Sequence, residues 1–143
     1  MHQKVARSIL AVMMSLITIF VLTLLVQFVL VTFNPDLQLT SEEMKAGEYP
    51  EVSTSLTFVV LLFDLIIAVF AGFLSAFIPM DKPFKHTVIL AVMVFSLGLI
   101  TMVGTWGLEP IWYALIRTFF APLFVLGGGQ FWTKKRRRMD GQE

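Results

Sequence analysis

Residues 54–78 read TSLTFVVLLFDLIIAVFAGFLSAFI, a stretch in which Asp64 is the one charged side chain. A lipid hydrocarbon core roughly 30 Å thick needs about 20 helical residues, so this block is long enough to cross it. Backbone amides and carbonyls in hydrocarbon must be satisfied within the segment, which requires a helix here. Strand-length alternation of polar and apolar residues is missing, so a β-barrel reading does not fit. Small residues fall on one face at steps of three and four, among them Ala68, Gly72 and Ala76, with Asp64, Ala71 and Ser75 alongside. That spacing is the usual glue between membrane helices.

Working outward, three more blocks of the same kind appear. Residues 5–33 form the longest, broken beyond Arg7 only by Ser8, Ser15, Thr18, Thr23, Gln27 and Thr32. Lys4 and Arg7 at its start imitate the charged start of a signal peptide. The apolar stretch is much longer than a signal core, however, and no small-x-small cleavage site follows, so an uncleaved first span is expected. After Pro79 and a short polar turn, a third span is expected over about 87–106. Gly107 to Pro110 make a second tight turn, and a fourth span is expected over about 111–132. The 143-residue chain is 57% hydrophobic and 15% charged, with a mean hydropathy of +0.80. Soluble domains lie near 45–50% apolar and about 25% charged. The fold class is therefore all-α: a polytopic membrane protein, one domain over residues 1–143, built as a four-transmembrane-helix bundle.

The formal net charge of +1 hides a strong asymmetry. Residues 34–53 carry Asp36, Glu42, Glu43, Glu48 and Glu51 against a single Lys45, and read as an external acidic loop. Thr40, Ser41, Glu42 and Glu43 fit a capping box, so a helical turn or two near Ser41 to Ala46 is expected. Lys4, Arg7, Lys82, Lys85 and the cluster Lys134, Lys135, Arg136, Arg137 and Arg138 all fall on one side of a chain that crosses four times. By the positive-inside rule that side is the cytoplasm, with both termini in it and residues 133–143 as a basic tail. Trp106 and Trp112 would mark the outer boundary and Trp132 the inner one. After a span, a basic cluster serves topology and contact with anionic lipid headgroups rather than nucleic acid.

Asp64 and Arg117 are the only charges well inside expected spans. They lie roughly 14 Å and roughly 9 Å below the outer ends of their helices, at 1.5 Å per residue. A lone charge at mid-membrane is costly, so the two are expected to pair. Gln27 and Thr101 sit at comparable depth, and Pro122 leaves the carbonyl of Thr118 without its helical donor. A polar layer of Asp64, Arg117, Gln27 and Thr101 in the outer half is expected. It reads either as a clasp that fixes helix order or as a site for an ion or small polar ligand. The other packing stripes are Ser8, Ala11, Ser15 and Thr18; Thr87, Ala91, Val94, Gly98, Thr101 and Thr105; and Ala114, Arg117, Ala121 and Gly128.

Other residues carry duller readings. The chain contains no cysteine and two histidines, His2 and His86. That excludes disulfides and thiolate chemistry, and neither histidine sits in a metal-ligand spacing, so no metal or cofactor is expected. His86 reads as an interfacial residue. Glu109 reads as a solvated carboxylate. Gly127, Gly128 and Gly129 have no following lysine and no preceding strand, so they read as a packing or unwinding point rather than a phosphate loop.

From Gly72 onward the chain resembles small four-span bacterial inner-membrane proteins that lack an assigned activity. The residues that carry the resemblance are Gly72-Phe73-Leu74-Ser75-Ala76, His86, Gly98, Pro110-Ile111-Trp112 and Gly127-Gly128-Gly129. It covers the second to fourth spans, about half the chain. It implies the architecture and a place in the inner membrane, but no chemistry. Small multidrug-resistance transporters fit poorly, since they carry their essential carboxylate in the first span.

The leading functional reading is a non-enzymatic membrane protein, either a structural or accessory subunit or a self-associating bundle. It would lie in the lipid bilayer with a second copy or another membrane protein as partner. The alternative is a small oligomeric transporter or channel that uses the Asp64–Arg117 layer. An enzyme would require facing carboxylates or a His–Asp set at the interface, which the sequence does not offer.

Overall fold

A computed structural model describes residues 2–33, 53–78, 82–107, 109–139 and 141. The acidic stretch 34–52, with the expected turn near Ser41 to Ala46, and Pro79 lie outside the described residues. Those that are described form four α-helices and no strand. They are α1 (His2–Phe33), α2 (Thr54–Phe77), α3 (Pro83–Gly104) and α4 (Ile111–Met139). Each is long and apolar enough to cross a membrane, and the fold is that of an integral, multi-pass membrane protein.

Two helix ends differ from the expected spans by four residues or more. The third helix begins at Pro83 instead of about Thr87, because proline at the first helical position loses no hydrogen bond and brings φ already set. Lys82 before it adopts the left-handed conformation, with φ 47°. The fourth helix does not end at Trp132 but runs to Met139, so the basic cluster is helical. Lys and Arg are good helix formers, and cations in a last turn face the negative end of the helix dipole. Ser53 caps α2, its hydroxyl accepting from the Leu56 amide at 3.3 Å.

α2 and α4 run side by side in the same direction. Phe58 stacks on Trp112 at their starts, with ring centroids 4.9 Å apart. Phe73 and Phe77 meet Trp132 edge-on near their ends. α3 runs the opposite way, so that Thr87 at its start lies against Gly129 near the end of α4. α1 rests on α2 and α3 through Ala11, Val12 and Ser15. The buried cluster of Val12, Ala68, Ala71, Leu90, Ala91, Ala121 and Val125 holds four alanines, and no side chain in it is larger than leucine.

Lipid tails are as apolar as leucine, so these helices gain little by hiding apolar area from each other. Association depends instead on close packing and hydrogen bonds. Glycine sets how close. A Cβ at Gly72 would overlap the backbone carbonyl of Val125, and one at Gly128 would overlap that of Val69. On the other side of α4, a Cβ at Gly129 would run into the Thr87 side chain. At Gly98 it would lie 3.3 Å from the Cα of Thr118. Successive residues turn by about 100° around a helix, so Gly128 faces α2 while Gly129 faces α3. Gly127 has nothing within 4 Å.

These contacts predict a sharp contrast among neighbouring glycines. Gly72→Val or Gly128→Val should destabilise the detergent-solubilised chain by about 1–3 kcal/mol or more, since backbone carbonyls must be displaced. Gly127→Ala should be neutral or stabilising by up to about 1 kcal/mol, because alanine is the better helix former. Unfolding followed by circular dichroism measures both, and equal effects at the three positions would refute the packing account.

Candidate functional site: a polar clasp between the second and fourth helices

Four polar side chains converge in the half of the bundle where α2 and α4 begin. Asp64 comes from α2. Tyr113 and Arg117 come from α4, and Glu109 stands just before it. Positions 109, 113 and 117 are spaced by four, so their side chains line one face of that helix and its lead-in. The Tyr113 hydroxyl donates to Asp64 Oδ2 at 2.9 Å. Arg117 Nη1 donates to the same hydroxyl at 3.4 Å. Arg117 Nη2 pairs with Glu109 Oε2 at 3.1 Å, and Nη1 reaches Glu109 Oε1 at 3.5 Å. The guanidinium also lies over the Tyr113 ring, 5.0 Å from its centroid.

The expected Asp64–Arg117 couple is therefore indirect. Arg117 takes Glu109 as its ion-pair partner, and Tyr113 stands between the guanidinium and Asp64. Glu109, expected as a solvated carboxylate, is instead a half-buried member of the cluster, about as exposed as Arg117. The physical reason is chain direction. Glu109 sits one helical turn before Tyr113, and an arginine long enough to fold back along its own helix reaches it with both nitrogens. Tyr113 had no place in the sequence reading, because a single tyrosine near a helix start resembles any interfacial aromatic. The signal that could have found it is the Glu-x-x-x-Tyr-x-x-x-Arg spacing.

Gln27 and Thr101 do not join this cluster. Gln27 is exposed on α1. Thr101 is exposed on α3, its hydroxyl donating to the carbonyls of Leu97 and Gly98 on its own helix, each at 3.0 Å. Back-bonding of this kind satisfies a hydroxyl locally and leaves it no need of a partner helix. Ser15, Thr18, Thr32, Ser96 and Thr105 do the same with the carbonyl four residues earlier.

Two serine or threonine hydroxyls do cross between helices. Ser75 on α2 donates to Thr87 on α3 at 3.1 Å, and Thr118 on α4 donates to the Gly98 carbonyl of α3 at 3.3 Å. The first sits beside Gly129, so three helices meet within one van der Waals layer there. Of the expected packing residues, Ala68, Gly72, Ala76 and Gly128 are buried and Gly98 is half-buried. In the basic cluster Lys134, Lys135, Arg137 and Arg138 are exposed and Arg136 is half-buried. His86 is buried, not interfacial in the sense of facing solvent, and its Nδ1 has no hydrogen-bond partner. Among the described residues no group of three His, Asp or Glu gathers as a metal site would require.

Chemically, the cluster is a linked chain of groups: carboxylate, phenol, guanidinium, carboxylate. Against protein-family models, curated proteins and solved structures, the chain finds no match.

The clasp predicts that Tyr113 is worth more than its one hydroxyl. Tyr113→Phe leaves Asp64 without the donor it is bonded to, which should cost about 1–3 kcal/mol. Combining Tyr113→Phe with Asp64→Leu should recover part of that loss, because no unpaired carboxylate remains. A double-mutant cycle on detergent-solubilised protein measures the coupling, and strict additivity would show that the hydrogen bond contributes nothing.

Proposed function

We propose that this chain is a non-enzymatic helical membrane protein, a self-associating bundle or an accessory subunit. The observation that carries this reading is the mutual bonding of Asp64, Tyr113, Arg117 and Glu109. Each of the four groups bonds another member of the cluster, as expected of a clasp that locks α2 to α4. The small-residue contacts of α4 with both α2 and α3 support the same reading, since they stiffen a core without enclosing a path.

The bundle sits in a bacterial inner membrane with both termini in the cytoplasm. What supports this is the charge pattern. Lys82 and Lys85 stand at the start of α3, and five basic residues occupy the last turns of α4, at the same end of the bundle. Anionic headgroups attract such residues by about 1 kcal/mol each near the surface.

Mass spectrometry of complexes taken directly from native membranes should find the chain with a second copy or with a membrane-protein partner. A strictly monomeric, partnerless chain would overturn the reading. Orientation is checked separately, in intact cells, with a membrane-impermeant maleimide. Glu43→Cys should label without permeabilisation and Lys135→Cys only after it; the reverse pattern would invert the topology.

A further inference from the structure

α1 carries a surface that neither the clasp nor the core uses. Leu10, Met13, Ile17, Phe20, Leu24 and Gln27 follow one another at steps of three and four, and all six are exposed. Alternating steps of three and four are the a and d positions of a heptad, the seam of a left-handed helix pair. In the same frame Ala11, Val12 and Ser15, which pack into the bundle, occupy the b, c and f positions. The seam therefore points away from the rest of the chain.

Exposed apolar residues alone would mean nothing in lipid. Gln27 is different. It lies roughly 9 Å inside the end of α1, counting six residues back from Phe33. Its side-chain amide makes no hydrogen bond among the described residues. A primary amide carries two donors and an acceptor, and the apolar side chains beside it on this face offer partners for none of them.

We infer that α1 is the interface of a parallel homodimer, in which the Gln27 amides of two copies hydrogen-bond to each other across the seam. The inference rests on the self-association reading above and names its surface. A second copy suits this face for a geometric reason. Copies related by a two-fold axis along the membrane normal place every residue at the same depth as its counterpart. Gln27 then necessarily meets Gln27, and an amide is its own complement as donor and acceptor. A single polar residue in an otherwise apolar seam is also the device that fixes register and strand number in parallel helix pairs. Met13, Ile17, Phe20 and Leu24 supply the knobs that pack on either side of it.

The chain has no cysteine, so each introduced cysteine is the only one present. Ile17→Cys, Phe20→Cys and Leu24→Cys, oxidised in native membranes, should give disulfide-linked dimers several-fold more readily than Leu25→Cys and Val29→Cys. Leu24 and Leu25 make a matched pair, exposed to 53% and 54%, so accessibility alone predicts no difference between them. In parallel, energy transfer between donor- and acceptor-labelled full-length chains in vesicles measures association without reference to a face. Gln27→Leu should weaken it about threefold to thirtyfold, the range one or two interhelical hydrogen bonds supply in membranes, while Gln27→Asn should retain most of it. Energy transfer with equal cross-linking at positions 24 and 25 would overturn the seam and leave self-association standing. No energy transfer at any protein-to-lipid ratio would overturn both.

Discussion

The approach of α2 to α4 at Gly72 and Gly128 governs the arrangement of everything else. At these two points each helix presents bare backbone to a carbonyl of the other, those of Val125 and Val69. Packing this close brings van der Waals contacts over the whole length of both helices, which lipid cannot replace with contacts of equal density. It also fixes register. Asp64 lies eight residues before Gly72, and Arg117 eight residues before Val125. Two parallel helices of equal rise must then hold Asp64 and Arg117 at the same level. The polar cluster in one half of the bundle follows from glycine packing in the other half.

That register makes the detour through Tyr113 informative. With Asp64 and Arg117 level, a direct ion pair was available by depth, yet the guanidinium turns back to Glu109 and covers the Tyr113 ring. The phenol of Tyr113, one turn earlier on α4, extends into the space between and donates to Asp64. Arg117 thereby gains two acceptors and an aromatic face. A planar, multiply donating cation favours several directed partners over one point charge.

The parts of this structure that could be read from the sequence are those set by the solvent. Four uninterrupted apolar blocks require four helices, whatever their neighbours, and the small-residue spacing on residues 68–76 coincides with the buried face of α2. What could not be read depends on choices among local alternatives. Thr101 and Gln27 both had the depth for a polar layer, but Thr101 bonds its own preceding turn and Gln27 lies on a face of α1 turned away from the other helices. Glu109 looked solvated because the turn preceding Pro110 ends a span. Only its four-residue spacing to Tyr113 and Arg117 links it to the interior. The length of α4 was obscured because hydropathy marks where lipid ends, while helix propensity and the dipole decide where the helix does.

The three consecutive glycines of α4 show how one short motif divides its labour by angle alone. Gly128 lets α2 in, Gly129 makes room for Thr87 of α3, and Thr87 in turn accepts the Ser75 hydroxyl of α2. A hydroxyl pair, a backbone contact and three helices thus meet within one turn, at the end of the bundle away from the clasp. α2 and α4 are in this way held at two separated levels, by polar bonding at one and by glycine contact at the other. A pair held at a single level could still pivot; held at two it cannot. Among the described residues α1 has no comparable anchor to α4, and it packs through Ala11, Val12 and Ser15 near its start. Leu16 and Ile19 continue that contact, and the opposite face of α1, which carries Gln27, answers to lipid or to another helix.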